Sequence, residues 1–185
     1  MPTWPTYGSN FSSGTTEAIG ILVEAYNDLE IGLQFILLSF MRGKIWRNHV
    51  VTEHMSSTAV VEAIRAYLME HPKRSKVLAP VEFALNAFET CRVNRNNIIH
   101  FGMAWRKPGQ RISRVMRVKL RAGRFMFMRT LKVSDVRGVA DDCHALKLYM
   151  DYLSVELDKC FSRKPFMEPE RPEAPKLLAW QRRPY

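Results

Sequence analysis

No apolar run in this chain is long enough to cross a bilayer: the richest stretch, 31–41, is short and has polar flanks. Cysteine is scarce. Cys91, Cys143 and Cys160 show no CxxC and no metal-ligand spacing. An odd count argues against a disulfide framework and fits a reducing cytoplasm, where such residues serve as small core side chains. The N-terminus has no basic segment followed by an apolar core, so no signal peptide is expected. Also missing are a phosphate-gripping P-loop, a GxGxxG turn and a nucleophile elbow. His49 and His54 stand five apart with Glu53 between them, which is not the HExxH zinc pattern, so neither metal nor cofactor is expected. Acid is in short supply: 18 Asp and Glu face 28 Lys and Arg, for a net charge of +10. That balance favours a polyanionic partner, nucleic acid before an anionic membrane surface.

What is present is helical periodicity. A chain of 185 residues suits one domain with a proper core. Residues 1–14, rich in Pro, Gly, Ser and Thr, read as a flexible arm. Thr15 or Thr16 can cap a first helix to about residue 41, with Ile19, Leu22, Val23, Tyr26, Leu29, Leu33, Ile36, Leu37 and Phe40 at helical spacing and Gly43 as the stop. Residues 44–54 are ambiguous. Ser56 or Ser57 opens a second helix to about residue 70, a third spans about 77–101, and Ser134 caps a fourth to about residue 161. Val136, Val139, Ala140, Cys143, Leu146, Leu148, Tyr149, Tyr152, Leu153, Val155 and Leu157 give the fourth a broad apolar face. Pro165, Pro169, Pro172, Pro175 and Pro184 forbid a helix in 163–185, which reads as a Pro-rich flexible tail. Its small apolar cluster, Leu177, Leu178 and Trp180, would suit a docking peptide, though the composition favours an unattached tail. The expected fold is therefore mainly all-α. It is an up-down bundle of four main helices over 15–162, with a small basic β-hairpin at about 111–133 before the last helix.

The hairpin is expected from alternation. Val118 and Leu120 fall on one face of 115–121 and Arg117, Lys119 and Arg121 on the other; Ala122-Gly123 makes a turn and 124–133 returns. Residues 106–137 hold eleven basic side chains against one acid, Asp135. A few charges would protect a strand edge; this density points to a polyanion. Phe125 and Phe127, or else Met126 and Met128, are available to bases on the face that does not pack on the bundle. Arg92, Arg106, Lys107, Arg117, Lys119, Arg121 and Arg124 are the candidate RNA contacts.

The densest chemistry lies in Arg95-Asn96-Asn97-Ile98-Ile99-His100, near the end of the third helix. An imidazole can move protons near neutral pH. A guanidinium can hold a phosphate and the charge that grows on it during attack. Asn96 stands four residues before His100, on the same helical face, where it can orient the ring or a phosphate oxygen. The apolar stripe Val81, Ala84, Phe88, Cys91 continues at the same spacing into Arg95 and Ile98. Arg95 thus occupies a position assigned to the packed face, where a charge must be paired or must line a cleft. Residues five apart on a helix point about 140° apart. Either Arg95 reaches around, or the helix frays at His100, or a two-fold axis brings His100 of a second copy to Arg95. Arg followed by His after four to six residues occurs five times in this chain, and only Arg47 and Arg95 are followed by Asn. Arg47 and His54 fall outside the strongly periodic helices, so Arg95, Asn96 and His100 are the preferred candidates.

That pattern, an Arg with a polar residue directly after it and a His five positions on, resembles the signature of HEPN domains. The resemblance covers roughly 15–162 and rests on the short motif. It implies a four-helix bundle with the motif late in the third main helix. It also implies a metal-independent ribonuclease in a toxin–antitoxin or antiviral defence setting. Arg95, Asn96 and His100 would be catalytic, the product would be a 2′,3′-cyclic phosphate, and the cleft would be shared across a homodimer. An antitoxin or other defence protein is a further expected partner, and no membrane is. Two other readings fit the residues: a HEPN-like module that binds RNA or a nucleotide without cutting, and a DNA-associated or protein-interaction helical protein in which Arg95 is a structural ion-pair partner.

Overall fold

In the computed structural model, residues 13–41, 45–71, 74–100, 115–121, 125–179 and 181–184 are described. The fold is mainly helical. Its elements are α1 (Ser13–Met41), α2 (Ile45–Glu53), α3 (Ser57–Glu70), α4 (Arg74–Ile99), β1 (Val115–Arg121), β2 (Phe125–Leu131), α5 (Val133–Phe161) and β3 (Gln181–Pro184). No helix among the described residues is long and apolar enough to cross a membrane.

The core is built from the stripes that periodicity marks. Leu22, Leu29, Leu33 and Ile36 of α1 meet Ile64 and Leu68 of α3, Val81, Phe88 and Cys91 of α4, and Cys143, Leu146 and Leu153 of α5, all buried. Ser56 caps α3, its hydroxyl accepting from the Ala59 N–H at 3.3 Å. Helix α5 begins two residues earlier than expected, with Lys132 rather than Ser134 as its cap. The Asp135 carboxylate accepts from the Lys132 N–H at 2.7 Å, an acid in the first turn where the helix dipole favours one.

Helix α2, in the ambiguous segment, changes the order expected of four alternating helices. Glu53, Met55 and Ser57 line a cleft of about 340 Å³ with Glu30, so α2 runs back along α1 and α3 starts beside its middle. His71, the C-cap of α3, then packs against Phe40 near the end of α1. Helix α3 therefore runs parallel to α1. The Tyr149 hydroxyl donates to Pro80 O and Cys91 meets Cys143, so α4 runs antiparallel to α5. Glu17 pairs with Arg137 at one end and Phe40 meets Phe161 at the other, so α5 is parallel to α1. Three of the four long helices share one direction. α1 and α5 approach closely at Gly32, where an added Cβ would lie 3.3 Å from Met150 Cβ.

β1 and β2 pair antiparallel, with Arg117 opposite Arg129 and Lys119 opposite Phe127. β3 pairs antiparallel with β2, giving the order β1-β2-β3. Of the arm expected over 1–14, residues 1–12 lie outside the described residues and Ser13 and Gly14 open α1 instead; the turn at 122–124 also lies outside them.

The segment after α5 differs from the loose tail that its prolines predict. It doubles back along α5 and α4. The Met167 N–H donates to Glu156 at 3.1 Å, and the Arg171 guanidinium lies 5.3 Å from the centre of the Phe83 ring. The Asn94 amide donates to Lys176 O, and its Oδ1 accepts from the Leu178 N–H, both at 3.0 Å. Asn94 is fully buried on α4 and offers the passing chain one donor and one acceptor, as a neighbouring strand would. Prolines exclude a helix here, but an extended segment still docks when another element satisfies its backbone. β3 follows directly after this anchored stretch.

One apolar expectation for α5 also changes. Leu148, Tyr152 and Val155 are exposed and do not join the core. They form, with Met167, Pro169 and Pro172, the walls of a groove of about 950 Å³ between α5 and the doubled-back segment.

Candidate functional site

Arg95 lies on the last turns of α4, half-buried between the core and the surface. The stripe that brings Phe88 and Cys91 inward also brings Arg95 against α1, where its guanidinium carbon sits 5.2 Å from the centre of the Tyr26 ring. Arg95 Nη1 donates to the Asn96 side-chain oxygen at 3.1 Å. Its Nε is shielded from solvent and has no hydrogen-bond partner among the described residues. No ion pair among the described residues involves Arg95. The carboxylate partner required by a purely structural arginine is therefore missing there.

Tyr26 is the floor of this site, and it ties Arg95 to a polar relay. The Ser57 hydroxyl donates to the Glu30 carboxylate and is hydrogen-bonded to the Tyr26 phenol. Burial first, and the Glu30 charge second, push the phenol well above its ordinary range; Ser57, Arg92 and Arg95 pull weakly the other way. Tyr26 is thus a protonated, buried ring under a cation, a favourable cation–π arrangement. Neither Tyr26 nor Ser57 was among the candidate residues. Tyr26 reads as an ordinary core position in the α1 stripe, and only the crossing of α1 and α4 turns it into a support for Arg95.

His100 is exposed and stands one residue beyond α4. Its backbone N–H still donates to Asn96 O at 3.1 Å, so helical hydrogen bonding reaches it. No contact among the described residues joins its ring to Arg95. Arg92, one turn before Asn96, is held by Glu89, with Nε at 3.0 Å and Nη2 at 2.6 Å from one carboxylate oxygen. Its charge is partly neutralised by that pair. Arg117, Lys119 and Arg121 are placed in β1, with Arg117 and Lys119 opposite Arg129 and Phe127. Arg106, Lys107 and Arg124 lie outside the described residues. The competing pair falls on α2: Arg47 is within it and His54 is exposed just beyond its end.

The three cysteines are buried and unlinked. A hydrogen bond that Cys91 donates to Cys143, together with burial, raises the Cys91 thiol far above its ordinary range, which suits a packing role. Among the described residues no three His, Cys, Asp or Glu side chains converge on a metal position. The chain matches no protein-family profile, no curated protein and no solved structure.

Taken as chemistry, the end of α4 presents an arginine whose orientation is set from two sides, by Asn96 and by Tyr26. Among the described residues it has no carboxylate partner, and an exposed imidazole stands five residues on. A cation so held is preorganised for an anionic ligand, because little side-chain freedom remains to be lost on binding.

Proposed function

We propose that the chain is a metal-independent endoribonuclease of the HEPN type. The observation that carries this reading is Arg95, fixed by Asn96 and the Tyr26 ring yet free of any ion pair among the described residues, in the same motif as His100. In the proposed reaction the ribose 2′-oxygen attacks the adjacent phosphorus and the bond to the 5′ oxygen breaks. His100 takes the 2′ proton or delivers one to the leaving oxygen. Arg95 neutralises the charge that grows on the phosphoryl oxygens. Asn96 acts as a brace for Arg95. The products are a 2′,3′-cyclic phosphate and a 5′-hydroxyl.

Because no contact among the described residues joins the His100 ring to the Arg95 guanidinium, a two-fold related copy supplying His100 is part of the proposal. A helical bundle with a basic β-hairpin, a cytoplasmic setting in toxin–antitoxin or antiviral defence and an inhibitory antitoxin belong to the same reading. The test is cleavage of mixed single-stranded and structured RNA in EDTA, with end-group analysis. Cyclic phosphate ends are expected, and DNA should be inert because it lacks the 2′-hydroxyl. Cutting of DNA, or 5′-phosphate ends, would contradict the mechanism. The separation of His100 from Arg95 also favours a second reading, a HEPN-like module that binds RNA without cutting. It predicts RNA affinity with no products.

A further inference from the structure

The register of the three strands sorts their residues into two unlike faces. Directly paired residues share a face, and alternate residues along a strand share it too. Arg117, Lys119 and Arg121 of β1 therefore share one face with Arg129, Phe127 and Phe125 of β2 and with Arg182 and Pro184 of β3. Met116, Val118 and Leu120 share the other with Thr130, Met128 and Met126 and with Gln181 and Arg183. The first face holds five cations, two phenylalanines and no acid.

From this placement we infer that the basic-aromatic face of β1, β2 and β3 is a binding surface for single-stranded RNA, and that the C-terminal strand is one of its working parts. Two considerations carry it. Arg117 directly opposite Arg129 is a like-charge cross-strand pair, which costs stability unless an anion lies over it. A face of five cations without a carboxylate is unsuited to an apolar core, whereas the methionine-rich face suits packing.

The pattern also selects the ligand. Lys119 and Arg182 flank Phe127 from the two neighbouring strands, and Arg121 stands opposite Phe125. Cations spaced along a strand meet phosphates, and ring positions between them stack unpaired bases; a duplex hides its base faces and gains only the phosphate contacts. Asn94 gives β3 its address. It holds Lys176 and Leu178 next to the Arg95–Asn96 motif, a few residues before Arg182 enters the sheet. The surface deepens the ribonuclease reading by naming its form of RNA, and rests on it for the choice of RNA.

Arg182 and Arg183 provide a charge-matched test, being adjacent in sequence and on opposite faces. Binding of a fluorescein-labelled 12-nucleotide oligouridine and of a 12-base-pair RNA duplex is measured by anisotropy across a salt series. All proteins are full-length and carry His100→Ala, so cutting does not interfere. Arg182→Glu is expected to weaken oligouridine binding about tenfold and to flatten the salt slope by about 0.7 per lost phosphate contact. Arg183→Glu should change affinity less than threefold, though its net charge is the same. Phe127→Ala should weaken oligouridine about tenfold and leave the duplex unaffected. Equal effects of the two arginine reversals would reduce the surface to net charge and overturn the inference, as would tighter binding of the duplex. Because cutting is not the readout, a failure here is distinguishable from a failure of the ribonuclease reading.

Discussion

Arg95 brings a full charge into a half-buried position of α4, and its surroundings decide what replacing it does. Arg95→Lys keeps the charge but loses the planar stack on Tyr26 and the directed bond to Asn96. Ribonuclease activity is expected to fall about 100-fold or more, the usual cost of removing one preorganised charge-stabilising donor. Stability should change by only about 1 kcal/mol, the scale of a partly exposed cation–π contact. Full activity with a large loss of stability, read by urea unfolding, would make Arg95 a packing residue. Asn94, its neighbour, should behave in the opposite way. Asn94→Ala leaves the half-buried Lys176 carbonyl and Leu178 N–H without their partner, at a cost of about 1 kcal/mol per lost bond. Proteolysis within 163–178 should then precede unfolding of the bundle; an unchanged cleavage pattern would show that the segment is held by other contacts. The stripe of apolar residues was enough to place Arg95 on the packed face of α4. It could not show what waits there, because Tyr26 is separated from Arg95 by the whole of α2 and α3.

At the scale of elements, the junction of α1 with α5 governs how the bundle closes. Gly32 has Met150 Cβ 3.3 Å from where its own Cβ would be, whereas Gly20 faces open space. Gly20→Ala should stabilise by about 0.5–1 kcal/mol through helix propensity alone. Gly32→Val should destabilise by about 1–3 kcal/mol, because a Cβ and two methyl groups must fit into a packed crossing. Thermal unfolding of both variants reads the difference, and a stabilised Gly32→Val would show that the crossing has slack. The long helices were legible because their apolar stripes run for many turns. Helix α2 was not: at nine residues it holds too few turns for periodicity to show. The docked C-terminal segment was hidden for another reason. Its partners, Asn94 and Phe83, lie on another helix, so no local pattern marks them. Strand alternation gave the charged face of β1, but the choice between phenylalanines and methionines as its neighbours required the register.

For the molecule as a whole, the net charge of +10 sets how it meets a polyanion. RNA affinity should fall linearly in a double-logarithmic plot against salt, as counterions released on binding are recaptured. Charge alone does not separate an enzyme from a binder, and neither does the helical fold. The separation comes from His100, exposed at the end of α4 and outside the core, so that its replacement should leave folding untouched. The decisive measurement pairs wild type with His100→Ala, each purified to the same standard, matched in melting temperature and incubated with RNA in EDTA. Cutting by wild type alone is the predicted result. Equal cutting by both proteins would contradict the assignment of His100, and no cutting by either, with RNA still bound, would leave the chain a binding module.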